Sequence, residues 1–335
     1  MKKTGSPLLY TACGAMLIMI LDNRSAFRGA IQGVQLCLQS VIPALFPMMV
    51  LSIFITAGIR SAPMRFLKPL GKLCRIPYGC EPVLAVGYLG GYPSGAQSIA
   101  IAQQEGLIST DDGRRMLAFC NNAGPAFIFG MVGPMFSRWY IPWVLWGIHM
   151  ISALAVGMIL PAWGKKTVRK ANMTTISFSQ ALHKGVDAIT TVCAWVILFR
   201  IVITFSEKWI LRVLPEEFQV WIVGALELTN GCLQLTSLEN EGFRFITASV
   251  LLAFGGVCVS LQTKSVATNI PMDLYFPGKG MQSLLSFLLS YVIQLMLFSD
   301  SWRLPTILWL FLGIMALLIL IAVKNRGSIP KKIGV

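Results

Sequence analysis

Gly90-Gly91-Tyr92-Pro93-Ser94-Gly95-Ala96-Gln97 interrupts an apolar segment that is otherwise long enough to cross a membrane. Three glycines, a proline and two polar side chains stand where a simple spanning helix carries Leu and Val. In hydrocarbon each unpaired backbone N–H or C=O costs several kcal/mol, so irregular backbone is tolerated there only when buried in protein or lining a wet cavity. The stretch therefore reads as a site.

Composition supplies the membrane. Of 335 residues, 55% are apolar and 13% charged, against about 25% charged in an ordinary globular domain, and the mean hydropathy is +0.69. Apolar windows of about 17 to 25 residues, enough to cross a core of about 30 Å, recur along the whole chain. Ten are expected, at 7–21, 30–59, 82–103, 114–132, 139–163, 181–205, 218–235, 243–261, 281–298 and 304–323. Lys2 and Lys3 before the first give it a signal-peptide look. No small-x-small cleavage site follows, and Asp22-Asn23-Arg24 closes it, so it is kept as a span.

The net charge of +14 is spread over short loops, which argues against a nucleic-acid partner. Arg60, Arg65, Lys68, Lys72 and Arg75 precede the third window, Lys165, Lys166, Arg169, Lys170 and Lys184 surround the start of the sixth, and Lys324, Arg326, Lys331 and Lys332 end the chain. The positive-inside rule puts these clusters, with both termini, on the cytoplasmic side of a multi-pass protein. Three windows then separate the first cluster from the second and five separate the second from the tail. Odd numbers cannot join two cytoplasmic ends, so each half of the chain must hold one segment that enters and leaves on the same side.

The interrupted windows are the candidates. The first half carries the opening stretch and Cys120-Asn121-Asn122-Ala123-Gly124-Pro125; the second carries Glu227-Leu228-Thr229-Asn230-Gly231 and the run from Gly255-Gly256 to Ser260-Leu261-Gln262-Thr263. Gly33-Val34 in the second span also aligns with Gly185-Val186 in the sixth, two spans that charge sets in opposite directions. Oppositely facing halves with matching Gly- and Pro-broken segments are the signature of an inverted-repeat transporter with its site at the midplane. The expected organisation is an all-α polytopic membrane protein with broken helices or re-entrant hairpins. It has an N-terminal span at 1–29, a first half at 30–164, a second half with the last span at 165–323, and a basic tail at 324–335.

The ordered set ALFP (44–47), GYPSGA (91–96), NNAGP (121–125), ELTNG (227–231) and GGVCVSLQT (255–263) resembles the YlbJ/SpoVV-like sporulation integral membrane proteins. These belong to the wider nucleoside-recognition or Gate-domain membrane proteins, and the resemblance spans residues 30–298. It implies a dipicolinic acid transporter of the outer forespore membrane, and it brings no binding residues with it.

A planar aromatic dianion needs hydrogen-bond donors for two carboxylates and a flat apolar slot. Broken helices offer free N–H groups and positive dipole ends worth about 0.3 to 2 kcal/mol per charge. The candidate substrate-binding residues are Tyr92, Ser94, Gly95, Gln97, Asn121, Asn122, Glu227, Thr229, Asn230, Gln262 and Thr263, with Phe127 as a second ring face. The competing reading is that these side chains bond one another as interhelical glue, at about 0.6 kcal/mol each.

Glu227 is the only carboxylate well inside an expected span, which makes it a candidate for proton coupling, for capping a half-helix or for pairing with Arg200. Lys264 either attracts an anion or anchors a span end.

No CxxC pair occurs among the eight cysteines, His149 and His183 are isolated, and neither a metal, a disulfide framework nor a cofactor is called for. Trp139, Trp209 and Trp302 read as interface anchors. Without GxSxG, HExxH or paired acids in the spans, an intramembrane enzyme is disfavoured; without a P-loop, so is ATP-driven transport by this chain alone. The leading expectation is a secondary-type transporter of a small anionic metabolite in a lipid bilayer, with self-association compatible. The alternatives are a nucleoside or other Gate-type carrier, or a sensor or assembly subunit that moves nothing.

Overall fold

The computed structural model describes residues 6–57, 64–162 and 176–298, together with Gly313. The expected last span, the basic tail, Lys2, Lys3, Arg60, Trp302 and the loop cations Lys165, Lys166, Arg169 and Lys170 lie outside the described residues. All described regular structure is helical. Five helices are long and apolar enough to cross a membrane, at Asn23–Ala57, Ile141–Ile159, Phe178–Trp209, Glu241–Val266 and Tyr275–Phe298. They fit a multi-pass membrane protein.

The chain opens with α1 (Ser6–Leu21), and Asp22 caps the next helix by accepting the Ser25 amide. The first long helix is α2 (Asn23–Leu36), a π turn at Cys37–Val41 and α3 (Ile42–Ala57). Pro43 and Pro47 supply no amide to this stretch. The π turn ahead of them lets the Ile42 N–H reach the Cys37 carbonyl, five residues back. A short surface helix, α4 (Lys68–Leu73), follows.

Next comes a pair of half-helices, α5 (Glu81–Leu89) and α6 (Ser94–Gln104). Gly87 and Gly95 sit on opposite arms, yet a Cβ on either would come within 2.1 Å of the same Cys120 carbonyl oxygen. In one straight helix, residues eight apart are about 12 Å apart along the axis. The pair is therefore a hairpin with Gly90–Pro93 at its tip. A capping box of Ser109 and Asp112 then starts α7 (Thr110–Leu117). Extended backbone at Cys120–Gly124 separates it from α8 (Pro125–Phe127), which runs into a π turn at Ile128–Val132. The long helix α9 (Ile141–Ile159) ends the first half.

The same order recurs. A second capping box, Ser177 with Gln180, starts the 32-residue α10 (Phe178–Trp209). The pair α11 (Glu216–Leu226) and α12 (Leu228–Leu233) is again a hairpin, since a Cβ on Gly231 would lie 2.1 Å from the Gly224 Cα. A broken helix follows, α13 (Glu241–Phe254) and α14 (Gly256–Val266), and then α15 (Tyr275–Phe298). The break between α13 and α14 is two glycines in the left-handed region, Gly255 at φ 79° and Gly256 at φ 87°, a conformation that costs a residue with a side chain about 1–2 kcal/mol.

Each half of the chain holds one hairpin of the kind that the charge count calls for. The windows at 82–103 and 218–235 are hairpins, those at 139–163, 181–205, 243–261 and 281–298 fall on helices long enough to cross, and the window at 114–132 is divided among short elements. Arg75, from the first cluster, donates to the Met158 carbonyl at 3.0 Å. Buried Arg115 donates to Cys74 O at 2.7 Å, Gly157 O at 2.5 Å and Leu160 O at 3.2 Å. Two guanidinium groups thus take up the last carbonyls of α9, so the first basic loop and the start of the second occupy one end of the molecule.

The two long helices α2–α3 and α10 pack antiparallel. Gly29 lies against Ile201 and Thr204, Gly33 against Ile197, and Gly185 against Val50. Glycines four residues apart let the backbones approach closely, as small residues do between membrane helices. The outer faces of α10 and α15 expose Leu198, Val202, Leu284 and Phe287, and Trp139 and Trp209 are exposed at element ends. Several boundaries differ from expectation, with α2 beginning at Asn23 rather than near 30 and α14 ending at Val266 rather than 261; α15 begins at Tyr275 rather than near 281, which draws Lys279 and Gln282 into the bundle with no exposed surface.

Candidate functional site: a chamber where four helix breaks meet

The four interruptions converge. Gly91, with φ 78°, packs on Gly124. Tyr92 reaches across to the break between α13 and α14, where its hydroxyl donates to Leu252 O at 3.3 Å and a Cβ on Gly255 would come within 3.0 Å of its Oη. Gly256 in turn lies on the Gly224, Ala225 and Leu226 carbonyls at the tip of the second hairpin. Each hairpin tip thus rests on the break of the helix that follows it.

Among these contacts is a small chamber of about 30 Å³. Tyr92 lines it from the first break, Gly124 and Phe127 from the second, Glu227 and Thr229 from the third, and Val259 and Gln262 from the fourth. Leu45 of α3 and Val192 of α10 close its remaining wall. A water needs about 10–15 Å³, so a chamber of about 30 Å³ is too small for an aromatic metabolite. Val192 and Gln262 also line a wider cavity of about 280 Å³, shared with Gln97, Lys184, Asp187 and Thr191. That vestibule lies at the end of α10 that begins in the second basic loop.

The expected site residues divide into two groups. Tyr92, Gln97, Glu227, Thr229 and Gln262 line the chamber or vestibule. The others are placed as structural bonds. Ser94 donates to Gly90 O at 3.3 Å within the first hairpin. Gly95 is held by backbone contact with Cys120, so its bareness serves helix approach and not a ligand. Asn121 donates to Thr263 Oγ1 at 2.8 Å and accepts the Ala96 amide at 3.3 Å, tying the second break to the fourth and to the first hairpin. Thr263 passes its own proton to Val259 O at 2.8 Å.

Glu227 caps α12. Its carboxylate accepts the Thr229 amide at 3.1 Å, the Asn230 amide at 2.8 Å and the Asn230 side-chain amide at 2.6 Å. It does not pair with Arg200. That guanidinium bridges Gln32 at 2.8 Å and Glu207 at 3.1 Å, and meets Asn230 Oδ1 at 3.4 Å. Lys264, weighed as an anion contact or a span anchor, is exposed.

Lys279 was missed in the sequence, and His149, read there as isolated, is buried. Lys279 has no exposed surface, and its Nζ donates to Asn121 O at 2.5 Å, Gln282 Oε1 at 2.9 Å, Asn122 Oδ1 at 3.2 Å and Tyr92 Oη at 3.2 Å. His149, 1% exposed, accepts the Ala123 amide on Nε2 at 3.1 Å. The signal for Lys279 was present as a stripe at helical spacing, Lys279, Gln282, Ser286 and Ser290, all fully buried. Among the described residues no group of three or more His, Cys, Asp or Glu is placed to hold a metal ion.

A scan against models of protein families finds no match, and comparisons with curated proteins and with solved structures find none either.

Proposed function

We propose that this chain is a secondary transporter that carries a small anionic aromatic metabolite through the membrane by alternating access. The observation that carries the reading is the convergence of four helix breaks, two from each half, on one chamber that shares Val192 and Gln262 with a neighbouring vestibule. Broken helices in both halves facing one cavity are the usual architecture of a midplane substrate site. The repeated order of elements and the antiparallel packing of the two long helices support an inverted repeat. By the positive-inside rule the vestibule opens to the cytoplasm.

Substrate identity rests on the family resemblance, which points to dipicolinate leaving the mother cell across the outer forespore membrane. Tyr92 and Phe127 offer ring faces to a planar substrate, and Thr229 and Gln262 offer polar contacts. The small chamber must widen to admit it, by movement of the hairpin tips against α3 and α10. An anion in this chamber meets the Glu227 carboxylate, and co-movement of a proton is the simplest way for the two charges to coexist.

The test is uptake of labelled dipicolinate and of labelled nucleosides into vesicles holding the purified chain. Saturable dipicolinate flux is expected. Flux of nucleosides alone reassigns the substrate within the same architecture, and binding without flux of either makes the protein a sensor.

A further inference from the structure

Lys279 poses a problem of charge. It projects from α15 into the break between α7 and α8, with no exposed surface and no carboxylate within ion-pair distance among the described residues. Lone charges buried this way are costly, and the cost falls only when the surroundings solvate the ion.

Here they do. Four oxygens surround Nζ: the Asn121 carbonyl at 2.5 Å, Gln282 Oε1 at 2.9 Å, and Asn122 Oδ1 and Tyr92 Oη at 3.2 Å. The two amides are locked with their oxygens inward. Asn122 Nδ2 donates to Phe119 O at 2.7 Å, and Gln282 Nε2 donates to Asn122 Oδ1 at 3.1 Å. The Tyr92 hydroxyl spends its proton on Leu252 O, so its lone pair faces Nζ. The rings of Tyr92 and Tyr275 add two π faces, with centroids 5.1 and 6.0 Å from Nζ, the arrangement that attracts cations.

Neutral oxygens with carbonyl character, converging on one point beside aromatic faces, are how proteins replace the hydration shell of a monovalent cation. No carboxylate contributes, so a divalent ion would be poorly compensated. An ammonium group and a potassium ion are nearly the same size. We propose that the Lys279 ammonium occupies a potassium-sized cation site, so that this chain carries there, as a tethered side chain, the cation that a soluble ion would otherwise supply. The site pins α15 to the α7–α8 break and to Tyr92, the residue whose ring lines the chamber.

This inference rests on neither transport nor substrate, and its test uses purified full chain without substrate. Thermal unfolding is followed for the wild type, Lys279→Ala and Lys279→Met in potassium, ammonium, sodium and choline chloride at equal ionic strength. The Met variant keeps the volume of the lysine stem and covers the case in which the Ala variant fails to fold. Expected are a wild-type midpoint independent of the cation and variant midpoints that are lower in choline. In the variants potassium and ammonium should restore the midpoint saturably, by about 2 °C or more at concentrations tenfold above Kd, and sodium less. Adding Asn122→Ala to either variant should abolish the restoration. Folded variants with the same midpoint in all four salts would show that water fills the vacated site and would overturn the proposal. So would a saturable potassium-specific rise in the wild type.

Discussion

Glu227 shows how one carboxylate can be both a cap and a site residue. Both its oxygens are engaged by amide groups of α12, while its side chain still borders the chamber. Glu227→Gln replaces one acceptor with an NH₂ group that must face either the Thr229 or the Asn230 amide. Leaving a buried donor unmatched costs about 1–3 kcal/mol. The variant is expected to insert in the membrane, to unfold several degrees lower and to carry less substrate; unchanged midpoint and flux together would remove both roles. At this scale the sequence was partly legible. Polar residues inside an apolar window announce themselves, which is why Tyr92, Asn121, Glu227 and Thr263 stood out. Whether each faces a cavity or a neighbour depends on helix rotation, which packing sets and periodicity does not record. Ser94 and Tyr92 are two residues apart, yet one bonds its own turn and the other spans to Leu252.

At the scale of elements the charge count called for one returning segment in each half, while leaving open which of the two interrupted windows in that half it was. Lys279 was not legible, because hydropathy alone placed the start of α15 beyond it, where the apolar run resumes. The hairpins depend on glycine at two positions, and this yields a comparison. A Cβ at Gly87 or Gly95 would overlap the Cys120 carbonyl at 2.1 Å, and that neighbour is backbone that Asn121 and Lys279 hold in place. Gly87→Ala and Gly95→Ala are therefore expected to push the first hairpin off the second break. Loss of folded protein or a fall in midpoint beyond 5 °C, equivalent to about 2 kcal/mol or more, should follow. Gly147→Ala in α9 meets nothing within 4 Å and should be neutral or stabilising by up to about 1 kcal/mol, since Ala is the better helix former. Equal tolerance of all three in a thermal-stability assay would show that close approach at Cys120 does not hold the hairpin.

For the whole molecule the decisive geometry is which end the vestibule opens toward. Lys184 and Asp187, at its rim, lie in the first turns of α10. Val192 and Gln262 line both the vestibule and the chamber. At the opposite end, Lys208 at the end of α10 meets Asp22 at the start of α2, so the polar contact there lies on the far side of the bundle from the vestibule. A protein built this way should be accessible from one face only in the state described. Thr191 is exposed and lines the vestibule, which makes it the position to probe. In a chain with the exposed Cys13 replaced by Ser, Thr191→Cys should react with a membrane-impermeant maleimide in inside-out vesicles and not in right-side-out ones. Labelling confined to right-side-out vesicles would reverse the orientation drawn from the basic loops, whereas equal labelling from both sides would mean that the small chamber does not seal the path.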